Sequence, residues 1–183
     1  MKVTKAWLKK HEACKEGIQA FCSQKETDST KILKSLIESN EKGKLEWANW
    51  LICRVFNGKQ KTVYAVYAAK LVLPIFEKEH PDDLRPRKAI EATERCLKNP
   101  SKKNRKEAAD AARAVARAAW AASAAYASAW AADAAAAAAS AVYATSAATW
   151  AADAAAWASW AARAADYNKT MIQILEYGIT LLK

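Results

Sequence analysis

From Asn104 to Tyr167 the chain contains neither glycine nor proline, and 36 of the 60 residues from Glu107 to Asp166 are alanine. Alanine is the strongest helix former and buries no polar atom, so a tract of this length commits the second half of the chain to helices. Only four glycines and four prolines punctuate all 183 residues, and 26% of them are charged. Tract and composition together predict an all-α protein, a compact multi-helix bundle in which alanine-rich antiparallel helices pack closely. One domain is expected over 1–183, made of a basic helical half (1–100) and an alanine/tryptophan-rich helical half (101–183).

Periodicity locates the helices. Residues 4–22 place Trp7, Leu8, Ala13, Cys14, Ile18, Phe21 and Cys22 near one face, which predicts a single amphipathic helix. A second follows after a cap at Asp28 or Ser29 and presents Ile32, Leu33, Leu36 and Ile37. The stretch from Asn40 to Gly43 breaks it. A third, KLEWANWLICRVFNG, is expected to stop at Asn57 and Gly58, and a fourth from about Lys61 to His80 to kink or divide at Pro74. A fifth spans Pro86 to Leu97, and a last helix, Lys169 to Leu182, brings Met171, Ile174 and Leu175 to the core.

The alanine tract also repeats: Trp120, Trp130, Trp150 and Trp160 each begin a WAA segment. A ten-residue step turns an α-helix by about 1000°, so successive indoles rotate by roughly −80°. One straight helix would scatter them, and a break between Asp133 and Thr149 gathers the pairs on two antiparallel helices. Positions 150, 153, 157 and 160 then form a helical seam of Trp150, Asp153, Trp157 and Trp160, and Arg113, Arg117 and Trp120 share another face. A charge on such a stripe is either paired between helices, for instance Asp153 with Arg117, or serves a bound molecule. In the second case the indoles stack on a flat ligand and the charges fix its polar edge.

The net charge of +10 is confined to the first 105 residues, where 23 basic residues face 13 acidic ones. In HPDDLRPRKAIEA, residues 80–92, Arg85, Arg87 and Lys88 stand at a helix start, the end that favours negative charge. Either a phosphate relieves that conflict or Asp82 and Asp83 already do. SKKNRKEAAD at 101 repeats the pattern, and Glu107 and Asp110 mark it as a solvated face. Trp47, Trp50 and Arg54 align an arginine with indoles at the edge of the core.

Other classes find less support. Two histidines, no P-loop, no G-x-G-x-x-G and no nucleophile–base spacing argue against an enzyme. His11 and Cys14 have the spacing of helical metal ligands, but two further ligands are missing, so a buried thiol and no metal is the expectation, and no cofactor is called for. Cys14, Cys22, Cys53 and Cys96 show no C-x-x-C pair, which fits reduced thiols. No stretch resembles a signal peptide, and the uncharged run 134–152 lacks leucine-class residues, so a cytoplasmic protein without a membrane span is expected. No nucleic-acid motif occurs, and the alanine half is neutral, which disfavours nucleic acid as a partner.

The opening TKAWLKKHEACKEG, the WLICR segment, the HPDDLRPRKAIEA turn and the WAA-type tract resemble the immunity-protein-five-like family of bacteria and their phages, over nearly the whole chain. The resemblance implies a helical, non-enzymatic protein that neutralises something by binding it. The expected function is sequestration of a small anionic, nucleotide-derived ligand by Arg85, Arg87, Lys88, Arg113, Arg117, Trp120, Trp130, Trp150, Asp153, Trp157 and Trp160. A phage would use it to remove a host immune signal. The alternative is an immunity or inhibitor protein that binds a toxin or defence protein directly, and alanine faces also suit a homo-oligomer.

Overall fold

The chain is all-α. The computed structural model describes residues 1–121, 137, 154, 158 and 166–183, with the side chains of Glu79 and of 115–121 excepted. Among them are eight helices: α1 (Lys5–Lys10), α2 (Lys15–Cys22), α3 (Ser29–Glu38), α4 (Lys42–Val55), α5 (Gly58–Glu79), α6 (Arg85–Lys98), α7 (Lys102–Ala121) and α8 (Tyr167–Thr180). An antiparallel bridge between Lys2 and Asp28 ties the N-terminus to the start of α3.

The helix expected over 4–22 is two helices. Glu12 adopts a left-handed φ of 58°. The Ala13 N–H then reaches the Leu8 carbonyl at 3.0 Å and the Glu12 N–H reaches Lys9 at 3.1 Å. These crossed bonds are a Schellman stop, which satisfies carbonyls that the end of α1 leaves open. Cys14 starts α2, its Sγ accepting from the Gly17 N–H at 3.3 Å. The thiol expected to be buried is exposed, and it serves as a cap.

Asp28 caps α3, accepting from the Thr30 and Lys31 N–H groups at 3.0 and 3.1 Å. Asn40, at φ 52°, ends that helix as expected. Asn57 and Gly58 act in the opposite sense to the one their identities suggest. Asn57 accepts from the Gln60 N–H at 2.9 Å, and the Gln60 side chain accepts from the Asn57 N–H at 2.9 Å. This capping box begins α5; Gly58 is its first residue and does not terminate α4. α5 then runs undivided through Pro74, which is exposed.

α8 docks on α4, α5 and α3. Its buried residues, Tyr167, Thr170, Met171, Ile174, Leu175 and Gly178, recur every three or four positions. They meet Leu45, Ile52, Tyr64 and Val72 in the core, each fully or nearly fully buried. Each aliphatic side chain removed from water in this way contributes about 1.5–3 kcal/mol. The buried Tyr64 hydroxyl donates to Asn49 Oδ1 at 2.9 Å, so it costs no unmet hydrogen bond.

α6 and α7, joined by Asn99, Pro100 and Ser101, form the most extensive helix pair among the described residues. They bury Ala89, Ala92, Thr93 and Cys96 against the side of α7 that holds Ala108, Ala109 and Ala112. Such small side chains allow close approach of two helix axes. Ala137, Ala154 and Ala158 are helical and fully buried in the core, so the alanine tract does supply interior. The expected break between 133 and 149 lies outside the described residues. None of the described helices is long and apolar enough to cross a membrane.

Candidate ligand-binding site

At the start of α6 each guanidinium already holds a carboxylate. Leu84 is the N-cap residue and offers no side-chain acceptor, so Asp83 serves instead, accepting from the Arg85 N–H at 3.0 Å. The same carboxylate takes Arg85 Nε at 2.8 Å and Nη2 at 2.6 Å. Arg87 Nε and Nη2 reach Glu77 Oε1 and Oε2 on α5, both at 2.7 Å. Hydrogen bonding with Arg85 holds the Asp83 carboxyl below the usual range, and Glu77 raises Arg87 in return. Of the three cations expected here, only the Lys88 ammonium has no hydrogen bond or salt bridge among the described residues.

These pairs weigh against a ready phosphate seat at 85–88. An arriving anion would have to displace a tethered carboxylate that makes two charge-assisted bonds, at the high effective concentration of an intramolecular partner. Nor is the basic helix start special. Seven of the eight described helices lack an acidic residue in their first turn. Lys5, Lys42 and Lys102 open three of them as Arg85 opens α6, and Lys59 is the second residue of α5.

A second cluster of cations lies on α7. Pro100, Lys102, Arg105, Lys106, Ala109 and Arg113 line an open cleft of about 530 Å³. Positions 102, 106, 109 and 113 step by four, three and four, which is one stripe of an α-helix. Ser101 caps the helix by accepting from the Asn104 N–H at 3.1 Å. Arg113 pairs with Asp110 one turn away, and Glu107 reaches back to Arg95 on α6 at 4.0 Å. The ammonium groups of Lys102 and Lys106 make no salt bridge or hydrogen bond among the described residues. Residues 102 to 113 carry five cations against Glu107 and Asp110, a surplus of three.

The helical backbone continues through 117 and 120, four and three residues beyond Arg113 and its successor position. The side chains of Arg117 and Trp120 lie outside the described residues, as do Trp130, Trp150, Asp153, Trp157 and Trp160 entirely. Among the described residues no group of three or more His, Cys, Asp or Glu side chains is placed to hold a metal ion.

A second concavity, of about 490 Å³, lies among α1, α2, α3 and α4 and was not foreseen as a site. Leu8, Phe21, Ile32, Leu36, Trp47 and Trp50 wall it. The Arg54 guanidinium lies 4.4 Å from the Trp50 ring centre, and Trp7 meets Trp50 edge-on at 6.1 Å. Partial burial lowers Arg54 from its ordinary value, partly offset by the nearby Cys53 and Glu12. The alignment of Arg54 with an indole is therefore a cation–π contact on the core edge. The 3–4 spacing of Trp47, Trp50 and Arg54 was the sequence signal for this region; what hid the pocket was the unforeseen corner between α1 and α2.

Comparison with protein families, with curated proteins and with solved structures gave no match.

Proposed function

We propose that this chain is a non-enzymatic binding protein that sequesters a small anionic, nucleotide-like molecule, held by the basic face of α7. The observation that carries the reading is the stripe of Lys102, Lys106 and Arg113, with Arg105 beside it, around one cleft. Two of its ammonium groups have no carboxylate partner among the described residues, so an incoming phosphate gains attraction there without first breaking one of the pairs described. Positions 113, 117 and 120 fall on one continuous helix, which supports a phosphate on the cations with a ring stacked further along, toward Trp120. In a phage, removal of a host's nucleotide signal would be such a protein's use.

A direct test is to purify the protein, heat-denature it and analyse the supernatant by mass spectrometry. A stoichiometric phosphate-bearing compound supports sequestration. No released compound, together with no heat on titrating nucleotides and cyclic dinucleotides, contradicts it.

A second reading, an inhibitor that binds an acidic protein, draws on the spread of lysines over the starts of α1, α4, α5 and α7. Charge distributed in this way steers a broad encounter better than it seats one small ion. Co-purification of a protein at a fixed ratio, with its loss at raised salt, would favour it.

A further inference from the structure

We infer that the pocket among α1, α2, α3 and α4 is a second ligand site, and that it takes a small organic amine: a flat apolar body carrying one positive charge. Its volume of about 490 Å³ lies within the roughly 300–1,000 Å³ of small-molecule sites. Aliphatic and aromatic side chains form its walls. Trp47 lines it, is half-buried and has no ring or cation partner among the described residues.

The charge on the rim fixes the sign of the ligand. Glu12, Glu26 and Glu46 stand against Lys31, an acidic spot on a chain of net charge +10. Glu26 is committed. Its Oε1 accepts from the Thr27 and Asp28 N–H groups at 2.9 and 2.8 Å, and its Oε2 lies 3.4 Å from Lys31. Glu46 Oε1 is reached by the Tyr167 hydroxyl at 3.5 Å. The Glu12 carboxylate makes no hydrogen bond or salt bridge among the described residues, although the Arg54 charge is close enough to feel it.

Glu12 also occupies the left-handed position of the Schellman stop, at φ 58°, where glycine is the favoured residue. A carboxylate placed there at a conformational cost, on the mouth of an apolar pocket and with no hydrogen bond or salt bridge among the described residues, has a use in the ammonium of a guest, with Arg54 a cation whose field it already shares. The same ammonium over the Trp47 ring gains a cation–π attraction.

Calorimetry with three probes of one shape tests this: naphthylmethylamine, naphthalenemethanol and naphthoate. The amine should bind saturably, the alcohol about tenfold more weakly and the anion not at all, since a tenfold ratio is the 1.4 kcal/mol that one charged contact supplies. Glu12→Gln should bring the amine down to the affinity of the alcohol. Ser35→Tyr, on the exposed side of α3 at the pocket wall, should abolish both while leaving the helical circular dichroism and melting point unchanged. Equal affinity for amine and alcohol, preference for naphthoate, an unaffected Glu12→Gln variant, or no binding by any probe would each overturn the inference.

Discussion

Gly178 on α8 lies against the ring of Tyr64 on α5, so close that a Cβ at Gly178 would come within 2.8 Å of Tyr64 Cε2 and 2.7 Å of Ile52 Cδ1. A glycine inside a helix ordinarily costs about 0.5–1 kcal/mol relative to alanine. Here the contact reverses the sign, because Tyr64 and Ile52 are fully buried and have no room to move aside. Gly178→Ala should destabilise the protein by about 1–3 kcal/mol, the usual range for overpacking, read as a lower urea midpoint at unchanged slope. A raised midpoint would mean that α8 does not dock as described.

Glu12→Gly should do the opposite. The left-handed turn at φ 58° closes α1, and glycine relieves about 1 kcal/mol of strain that any other side chain incurs there. The gain is reduced by the greater freedom of glycine in the unfolded chain. A thermal melt should show a higher midpoint for the variant.

Acid should weaken the fold through three carboxylates. Backbone hydrogen bonds from Asp28 and Lys31, respectively, hold Glu26 and Asp28 below their ordinary values of 4.5 and 3.8. The Arg85 hydrogen bond does the same for Asp83. A carboxyl whose folded value is depressed adds stability above its unfolded value and loses it as pH falls through the folded one. Urea midpoints should therefore be level above about pH 5 and drop steeply toward pH 2–3, following the usual acid window. Asp28→Asn with Asp83→Asn should flatten that drop.

The legibility of this chain in its sequence varies with the range of the interaction. Asp28, Asn40 and the apolar face of α8 were readable because caps and periodicity are local. Asn57 and Gly58 were misread because the pair fits either a helix stop or a start, and only Gln60 three residues on resolves it in favour of a start. The corner at Glu12 gave no signal, since a non-glycine residue occupies the left-handed position. Arg87 looked available because Glu77 lies ten residues upstream, on another helix, whereas Asp83, which holds Arg85, was one of the two alternatives the sequence offered. Conversely, Lys102 and Lys106 looked merely solvated because Glu107 and Asp110 follow them, whereas those carboxylates turn to Arg95 and Arg113.

The choice between the two basic regions is the centre of the account, and calorimetric titration of nucleotides and cyclic dinucleotides into two charge-reversed proteins tests it. Lys102→Glu with Lys106→Glu should abolish binding seen with the parent protein, whereas Arg87→Glu should leave it within about threefold, a difference under 1 kcal/mol. Loss of binding in Arg87→Glu with retention in the α7 variant, or no binding to the parent protein, would contradict it.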